Sequence, residues 1–203
     1  KELPGDYILK DVNGDGVVND LDKTPLFWSG SPLIHYGFNV EASWKNFDFY
    51  ALFQGSALYT VQFDEVYAKM LCFKGGNTPE YFYDRWHLSD PYDANSEWIP
   101  GEWPAIRLEQ DMGSFYTRDS QIWRKNASYL RLKTIEIGYT FSPRLMHKLG
   151  IGSLRIYANG NNLFTVCDPF VKAFDPEKIE GDYSAGLNYP LNKSFNFGLT
   201  LNF

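Results

Sequence analysis

The sequence predicts an all-β protein, and three features of the chain favour that fold class. Phe, Tyr and Trp make up 18% of the 203 residues, and aromatic residues are enriched in strands. Several stretches alternate apolar and polar residues, as strands with one covered face do. Gly and Asn residues mark the turns between them, and long helical patterns rich in Ala, Leu, Glu and Lys are missing.

The first three predicted strands are residues 36–44, 47–53 and 129–141. The first two each alternate, and only residues 45–46 separate them, which predicts a hairpin. The third alternates in two phases that change near residues 133–134. One extra residue at this place would be a β-bulge.

The last two predicted strands are residues 153–165 and 194–203. The connection SPRLMHKLGIG, which leads to the fourth strand, has room for one helical turn. In the fifth strand every second residue is apolar, so one face carries Phe195, Phe197, Leu199, Leu201 and Phe203.

The connection lengths distinguish a barrel from a sandwich. Short connections follow the first and third strands, whereas the long connections 56–127 and 166–193 follow the second and fourth. Outer-membrane barrels have short periplasmic turns, long extracellular loops, a lipid-facing apolar side and a polar lumen. Five strands cannot close a barrel. We therefore interpret residues 1–203 as the C-terminal portion, about five antiparallel strands, of a large transmembrane β-barrel. The terminal Phe203 resembles the assembly signal of outer-membrane barrel proteins.

A candidate calcium loop, DVNGDGVVNDLD, occupies residues 11–22. Oxygen-bearing side chains occur at the spacing of a calcium-binding loop, Gly16 stands where such a loop turns sharply, and one ligand is a backbone carbonyl. The predicted ligands are Asp11, Asn13, Asp15, Val17, Asn19 and Asp22. The alternative is a polar turn without metal, since Asn, Asp and Gly favour turns for backbone reasons. The last position holds Asp rather than the usual Glu.

Charge and spacing argue against nucleic-acid binding and catalysis. The net charge is −6, and the one basic cluster, Arg124, Lys125, Arg131 and Lys133, is interrupted by other residues, so we expect no nucleic acid partner. Scattered carboxylates and three isolated histidines match no hydrolase or zinc pattern. We predict no enzyme and no catalytic residue.

Two further groups of side chains lie in the long predicted loops. The first is aromatic and consists of Tyr81, Tyr83, Trp86, Trp98 and Trp103. These residues could form the core of a long ordered loop, contacts to a partner protein, or platforms for sugar rings. The second is Cys72 and Cys167, for which a disulfide is a hypothesis in an oxidising compartment.

Several segments together resemble the C-terminal region of SusC/RagA-type TonB-dependent outer-membrane transporters of the Bacteroidota. They are GDYILKDVNGDGVVNDLDKTPL, SPLIHYGFNVEASWKNFDFYALFQG, RKNASYLRLKTIEIGYTFSP, LRIYANGNNLFT and YPLNKSFNFGLTLNF. The resemblance implies a barrel of about 22 strands around a plug that this chain does not contain. It also implies a SusD-like surface lipoprotein as partner, energy from the TonB complex through the absent N-terminal part, and oligosaccharide or peptide cargo.

The implied location is the outer membrane of a Gram-negative bacterium, with lipid against the barrel. The calcium loop would then be extracellular, where calcium has a stabilising role. The alternative function is a secreted, calcium-stabilised, carbohydrate-binding β-sandwich, because DVNGDGVVND also resembles a dockerin repeat. A dockerin needs a second repeat, which the sequence lacks.

Overall fold

The computed structural model describes residues 4–25, 27–63, 80–105, 121–177 and 189–203. The chain divides into two compact units, Lys1–Leu26 with Phe63–Trp123, and Phe27–Gln62 with Arg124–Phe203. Among the described residues, no helix combines the length and hydropathy that a helical membrane crossing needs.

The described residues contain nine strands and two short α-helices. The strands are β1 (Ile34–Trp44), β2 (Phe47–Ala57), β3 (Thr60–Gln62), β4 (His87–Leu88), β5 (Trp98–Ile99), β6 (Arg124–Asn126), β7 (Tyr129–Thr140), β8 (Ser153–Val166) and β9 (Ser194–Asn202). The helices are α1 (Pro143–Lys148) and α2 (Pro169–Lys172). Single 3-10 turns occur at Asp20–Asp22, Glu80–Tyr83 and Gln121–Trp123.

The larger unit contains a five-stranded antiparallel sheet in the order β1-β2-β7-β8-β9. All five predicted strands are present, and the all-β prediction is confirmed. The predicted hairpin is β1–β2, in whose turn Lys45 adopts a left-handed φ of 57°. The helical turn predicted before the fourth strand is α1, which begins with Pro143 and buries Met146.

The bulge predicted in the third strand is also confirmed. Leu132 pairs with Phe53 and Thr134 pairs with Leu52, so Lys133 is an extra residue on β7. The extra residue places Leu132 and Ile135 on the same face of the sheet, although they are three positions apart. The apolar face therefore continues across the change of phase.

A small core extends the larger unit beyond the loop ends of its strands. Strands β3 and β6 pair with each other there, and α2 lies in the same region. Asp168 is the N-cap of α2, and its carboxylate accepts a hydrogen bond from Phe170 N at 2.8 Å. The buried residues of this core are Tyr59, Val61, Ala127 and Val171. Burial raises the pKa of Tyr59, whose hydroxyl donates to Pro176 O at 3.0 Å.

The smaller unit has its own core around Phe82 and Trp103. Their rings stack with centroids 5.4 Å apart, and both side chains are buried. Backbone bonds join Trp86 N to Trp103 O at 2.8 Å and Trp103 N to Asp84 O at 3.0 Å. Gly5 lies so close to the Trp86 ring that a Cβ there would overlap it.

Candidate functional site

One face of the sheet is apolar and exposed, and it is the surface that the sequence assigns to lipid. Phe197 is 85% exposed and Phe38 is 50% exposed. The register aligns apolar residues from all five strands, and one such row is Val40, Ala51, Ile135, Gly160 and Phe195. An apolar sheet face that no other described residues cover marks an interaction surface.

Aromatic side chains stand at both ends of this apolar face. At the loop end, Phe38 stacks on Phe53 with ring centroids 4.8 Å apart, and Phe164 lies 6.4 Å from Phe53. At the turn end, the ring contacts are Phe47 with Tyr139 at 4.8 Å and Tyr139 with Phe141 at 5.1 Å.

The length of the apolar face between its outermost aromatic residues matches the thickness of an outer-membrane apolar band. On β1 these residues are Tyr36, two positions beyond Phe38, and Trp44, which pairs with Phe47. Eight residue steps separate these positions, which is about 26 Å along an extended strand. Outer-membrane barrels have an apolar band about 25 Å tall between two aromatic girdles. The sheet therefore has the dimensions of a membrane-spanning wall.

The opposite face carries an ion-paired network across three strands. The Arg155 guanidinium on β8 donates to both carboxylate oxygens of Asp48 on β2, and to Glu136 on β7 at 2.8 Å. Asn159 donates to the other oxygen of Glu136 at 3.3 Å, and Asn196 donates to Asn159 at 2.9 Å. Polar side chains thus connect β2 to β9 on this face.

Gly138 provides the space for this network. It lies on β7 between Asp48 and Tyr157 in the register, and a Cβ there would overlap atoms of both Arg155 and Asp48. The ion pair crosses β7 over a position without a side chain. The sequence alone does not reveal these partners, although the alternation within residues 153–165 puts Arg155 opposite Leu154 and Ile156.

A second, buried ion cluster joins β7 to the loop that follows β8. The Arg131 side chain is only 3% exposed and contacts Asp175, Glu177 and Thr165, the last two at 2.7 and 2.9 Å. Lys133, the extra residue of the bulge, donates to Glu177 at 2.9 Å. Arg131 and Lys133 belong to the basic cluster noted in the sequence, and here they pair with carboxylates.

Asp175 is held in the ionised state by its hydrogen bonds. Burial alone would raise the pKa of its carboxyl, but hydrogen bonds from Arg131 and from the backbone N–H groups of Leu191 and Glu177 outweigh it, so the pKa is lowered. Its backbone has a left-handed φ of 64°, which Asp tolerates better than most residues. No periodic pattern links Asp175 to Arg131, so the sequence alone could not reveal this cluster.

The candidate calcium loop is folded around its own carboxylates. Asp11 accepts from Gly14 N at 2.6 Å and Gly16 N at 2.8 Å, and Asp15 accepts from Val17 N at 2.8 Å. Asp22 accepts from Val12 N, Asn13 N and Asn19 N. Hydrogen bonds from these N–H groups lower the pKa of Asp22, and those from Asn19 and Val12 contribute most.

The donor chemistry of this loop fits a hard cation. Its side chains offer only carboxylate and amide oxygens, and a carboxylate has about four acceptor sites, so the bonds above leave some free. Within the described ranges, however, no three His, Cys, Asp or Glu side chains are placed to hold a metal ion together. The set Asp11, Asn13, Asp15, Val17, Asn19 and Asp22 stays a prediction.

The structure separates the predicted aromatic group of the long loop. Trp103 belongs to the core of the smaller unit, and Trp86 packs on Gly5, as the core interpretation expects. Tyr83 is 81% exposed and Trp98 is partly exposed on β5, so these two side chains are accessible to a partner protein or a sugar ring. The side chain of Tyr81 lies outside the described part of the structure.

Two other sequence predictions concern Phe203 and the cysteines. Phe203 follows β9 and is 95% exposed, and its role in assembly stays a prediction. Cys167 is a partly buried thiol whose pKa is raised by burial. Cys72 lies outside the described residues, so the Cys72–Cys167 disulfide also stays a prediction.

Relatives of this chain are TonB-dependent receptors. TonB-dependent receptor P3 of Formosa agariphila is 27% identical over 208 residues, covering 98% of this chain and 19% of the receptor. TonB-dependent receptor P26 of the same organism is 28% identical over 214 residues, covering 100% of this chain and 20% of the receptor. The chain spans about a fifth of the length of the relatives it matches. No family model matches the chain.

Solved structures with the same fold include those of the RagAB peptide importer. The open-open state superposes with a TM-score of 0.65 at 24% identity, covering 97% of this chain and 20% of that one. The closed-closed state gives a TM-score of 0.64 at 26% identity, covering 92% and 19%.

These relatives confirm the resemblance to SusC/RagA-type TonB-dependent receptors that the sequence predicted. Such receptors and transporters reside in the outer membrane of Gram-negative bacteria, and the predicted localisation is confirmed. The relatives are receptors and transporters rather than enzymes. The position of residues 1–203 as the C-terminal portion of the barrel stays a prediction.

Proposed function

We propose that this relative of the TonB-dependent receptors forms part of the barrel wall of an outer-membrane nutrient transporter. The observation that carries the proposal is the two-faced sheet. Its apolar face extends about 26 Å along β1 between Tyr36 and Trp44, and its other face carries the Asp48–Arg155–Glu136 network. In this arrangement the apolar face meets lipid and the polar face lines the lumen.

The polar face is suited to an aqueous passage because its charges are paired. Arg155 lies between two carboxylates, and Arg131 and Lys133 pair with Asp175 and Glu177. Pairing fixes these long side chains along the wall instead of leaving them extended into the lumen. Cargo would then pass a surface of fixed hydrogen-bonding groups and small net charge.

Whether cargo is peptide or oligosaccharide is the finer part of the proposal. The RagAB relatives are described as a peptide importer, which supports peptide, whereas the resemblance to the SusC/RagA type also allows glycan. We propose a SusD-like surface lipoprotein as partner. The plug of the same transporter and the TonB complex are the other proposed partners.

Uptake by cells distinguishes the two cargo classes. A strain that lacks the full-length transporter should lose growth on one class, peptides or oligosaccharides, and regain it when the gene is restored. The lipoprotein should copurify with the tagged transporter from detergent extracts. If the deletion strain grew as well as the wild-type strain on both peptides and oligosaccharides, the transport proposal would be contradicted.

Labelling of single cysteines tests the placement of the two faces. In the full-length transporter with Cys72 and Cys167 replaced by Ser, we expect a cysteine at Phe197 to react with a lipid-soluble maleimide and to resist a charged one. A cysteine at the neighbouring Asn196 should react with the charged reagent. The same reactivity at both positions would contradict the assignment of the faces.

Calcium in the 11–22 loop is a separate proposal, supported by the spacing and oxygen chemistry of its side chains. Because the loops between β2 and β7 and after β8 are the long ones, β1 would begin at the extracellular end, and calcium would stabilise the acidic loop that precedes β1 in the chain. Calorimetry of the full-length transporter should detect calcium binding with little competition from magnesium, which demands a tighter octahedral site. No heat of binding in millimolar calcium would contradict this proposal.

A further inference from the structure

A cleft of about 430 Å³ lies at the loop end of the apolar face. Tyr36, Leu130 and Val166 line one side of it. These residues fall in a single row of the register, in which Gly55 stands between Tyr36 and Leu130. The cleft therefore begins where the apolar face ends.

The apolar side of the cleft is held in a fixed position. The Tyr36 ring lies over Gly55, where a Cβ would overlap it, and its hydroxyl donates to Tyr129 O at 2.7 Å. A Tyr ring fixed at both its face and its hydroxyl presents the remaining ring surface to the cleft. Toward the centre of the sheet this surface continues into the stacked Phe38 and Phe53 rings.

The other side of the cleft is polar and comes from loop residues. Asn126 accepts from Ser128 N at 2.9 Å through its side-chain oxygen, and the Ser128 hydroxyl oxygen accepts from Leu58 N at 3.2 Å. Among the described residues, the Asn126 NH₂ group and the Ser128 O–H have no acceptor. Asp168 uses one carboxylate oxygen to begin α2 and retains the other as an acceptor.

This set of groups selects a class of ligand. Neutral N–H and O–H donors beside one carboxylate acceptor suit hydroxyl groups, which both donate and accept. A bare phosphate or carboxylate would meet the Asp168 charge at close range. The adjoining aromatic surface suits acyl chains. A glycolipid carries both hydroxyl groups and acyl chains. Its sugar hydroxyls would lie in the cleft, and its acyl chains would lie along the apolar face.

We infer that this cleft binds the sugar headgroup of a glycolipid from the lipid layer that surrounds the wall. The inference rests on the proposed placement of the apolar face in the membrane. The ligand is a lipid rather than a free sugar because the cleft opens onto the apolar face and not onto the ion-paired face. The headgroup is recognised by Tyr36, Asn126, Ser128 and Asp168.

Native mass spectrometry of the purified full-length transporter tests this inference. The probes are a synthetic diacyl glucoside, a diacylglycerol with the same acyl chains, and phosphatidylglycerol. The wild-type protein should retain the glucoside about tenfold more tightly than the diacylglycerol, which is the effect of one or two hydrogen bonds.

Two variants should remove this preference, and a third is their control. Val166→Trp narrows the cleft at an exposed position, and Asn126→Asp keeps the bond from Ser128 N but replaces the NH₂ donors by a second negative charge. Each should weaken glucoside retention about tenfold. Ile156→Trp, on the same face of β8 but near the turn end, should keep the preference of the wild type.

The outcomes separate this inference from the proposed function. Equal retention of glucoside and diacylglycerol, or equal losses in Val166→Trp and Ile156→Trp, would overturn the headgroup assignment and leave the membrane placement standing. Retention of no lipid of any class by the wild type would overturn both. Binding of free glucose that competes fully with the diacyl glucoside would show a sugar site that does not need lipid, and would overturn the commitment to lipid.

Discussion

Arg131→Met is the perturbation for which the structure predicts the largest single effect. The Arg131 side chain is 3% exposed and is bound to Asp175, whose side chain is 5% exposed. Removal of one partner from a buried ion pair costs about 3–5 kcal/mol, because the other charge stays buried. Here the orphaned carboxylate keeps the Leu191 and Glu177 backbone N–H groups, and Glu177 keeps Lys133. We therefore expect the lower end, about 3 kcal/mol.

The matched control is the double variant Arg131→Met with Asp175→Asn. Because the Asn side chain carries no charge and its oxygen still accepts from backbone N–H groups, the double variant should recover about 1–2 kcal/mol of the loss. Urea unfolding of the full-length transporter in lipid vesicles measures the free energy. Proteolysis of the loop that follows β8 should accelerate in the single variant and less so in the double variant.

The ionised Asp175 carboxylate also makes the stability of the protein depend on pH. The pKa of Asp175 is lower in the folded protein than in the unfolded chain. Its contribution is therefore complete above the unfolded pKa of about 3.9 and is lost as pH falls through the folded pKa. The acid sensitivity of the loop should diminish in Asp175→Asn. Equal stability of the single and double variants, or a loss below about 1 kcal/mol in Arg131→Met, would refute the buried-pair argument.

Three further predictions concern other parts of the chain. Phe197→Arg should cost about 2–4 kcal/mol in membrane assembly if the residue lies near the midplane, and Asn196→Arg much less; equal defects would exclude a lipid-facing Phe197. Gly138→Ala should cost about 1 kcal/mol in urea unfolding by displacing a partly exposed ion pair, and the strand control Gly37→Ala should cost less; the reverse order would contradict the role of Gly138 as space for that pair. Asp15→Ala should weaken calcium binding in calorimetry and leave the strands folded; unchanged affinity would exclude Asp15 as a ligand.

The five long strands could be predicted because each carries its own evidence. Alternation in 194–203 and 36–44 is visible without any partner strand, and the bulge at Lys133 appears as a change of phase. The alternation of the second strand, by contrast, predicts an end at Phe53, yet β2 continues to Ala57. Its last residues are polar or small, and they extend the strand because their backbone pairs with β7 and β1.

Contacts between distant residues account for most of what the sequence did not show. β3 and β6 are three residues each and pair across an insertion, so neither has enough length for a periodic pattern. The partners of Arg131 lie 44 and 46 positions away, in a loop without alternation. The candidate calcium loop is the opposite case, because the spacing of its predicted ligands is entirely local and lies within twelve consecutive residues.

The β3–β6 pairing has a consequence for the order of folding and for how the insertion can vary. β1–β2 and β7–β8 are joined by short connections, whereas β2 and β7 must meet across residues 58–128. Closing that loop costs about 3 kcal/mol more than closing a two-residue turn, so the two hairpins should form before they join. The β3–β6 ladder then holds the two ends of the insertion together, because residues 62 and 124 pair. Each doubling of the length of the insertion between them costs only about 0.6 kcal/mol. The insertion can therefore lengthen or change its sequence without destabilising the five-stranded sheet.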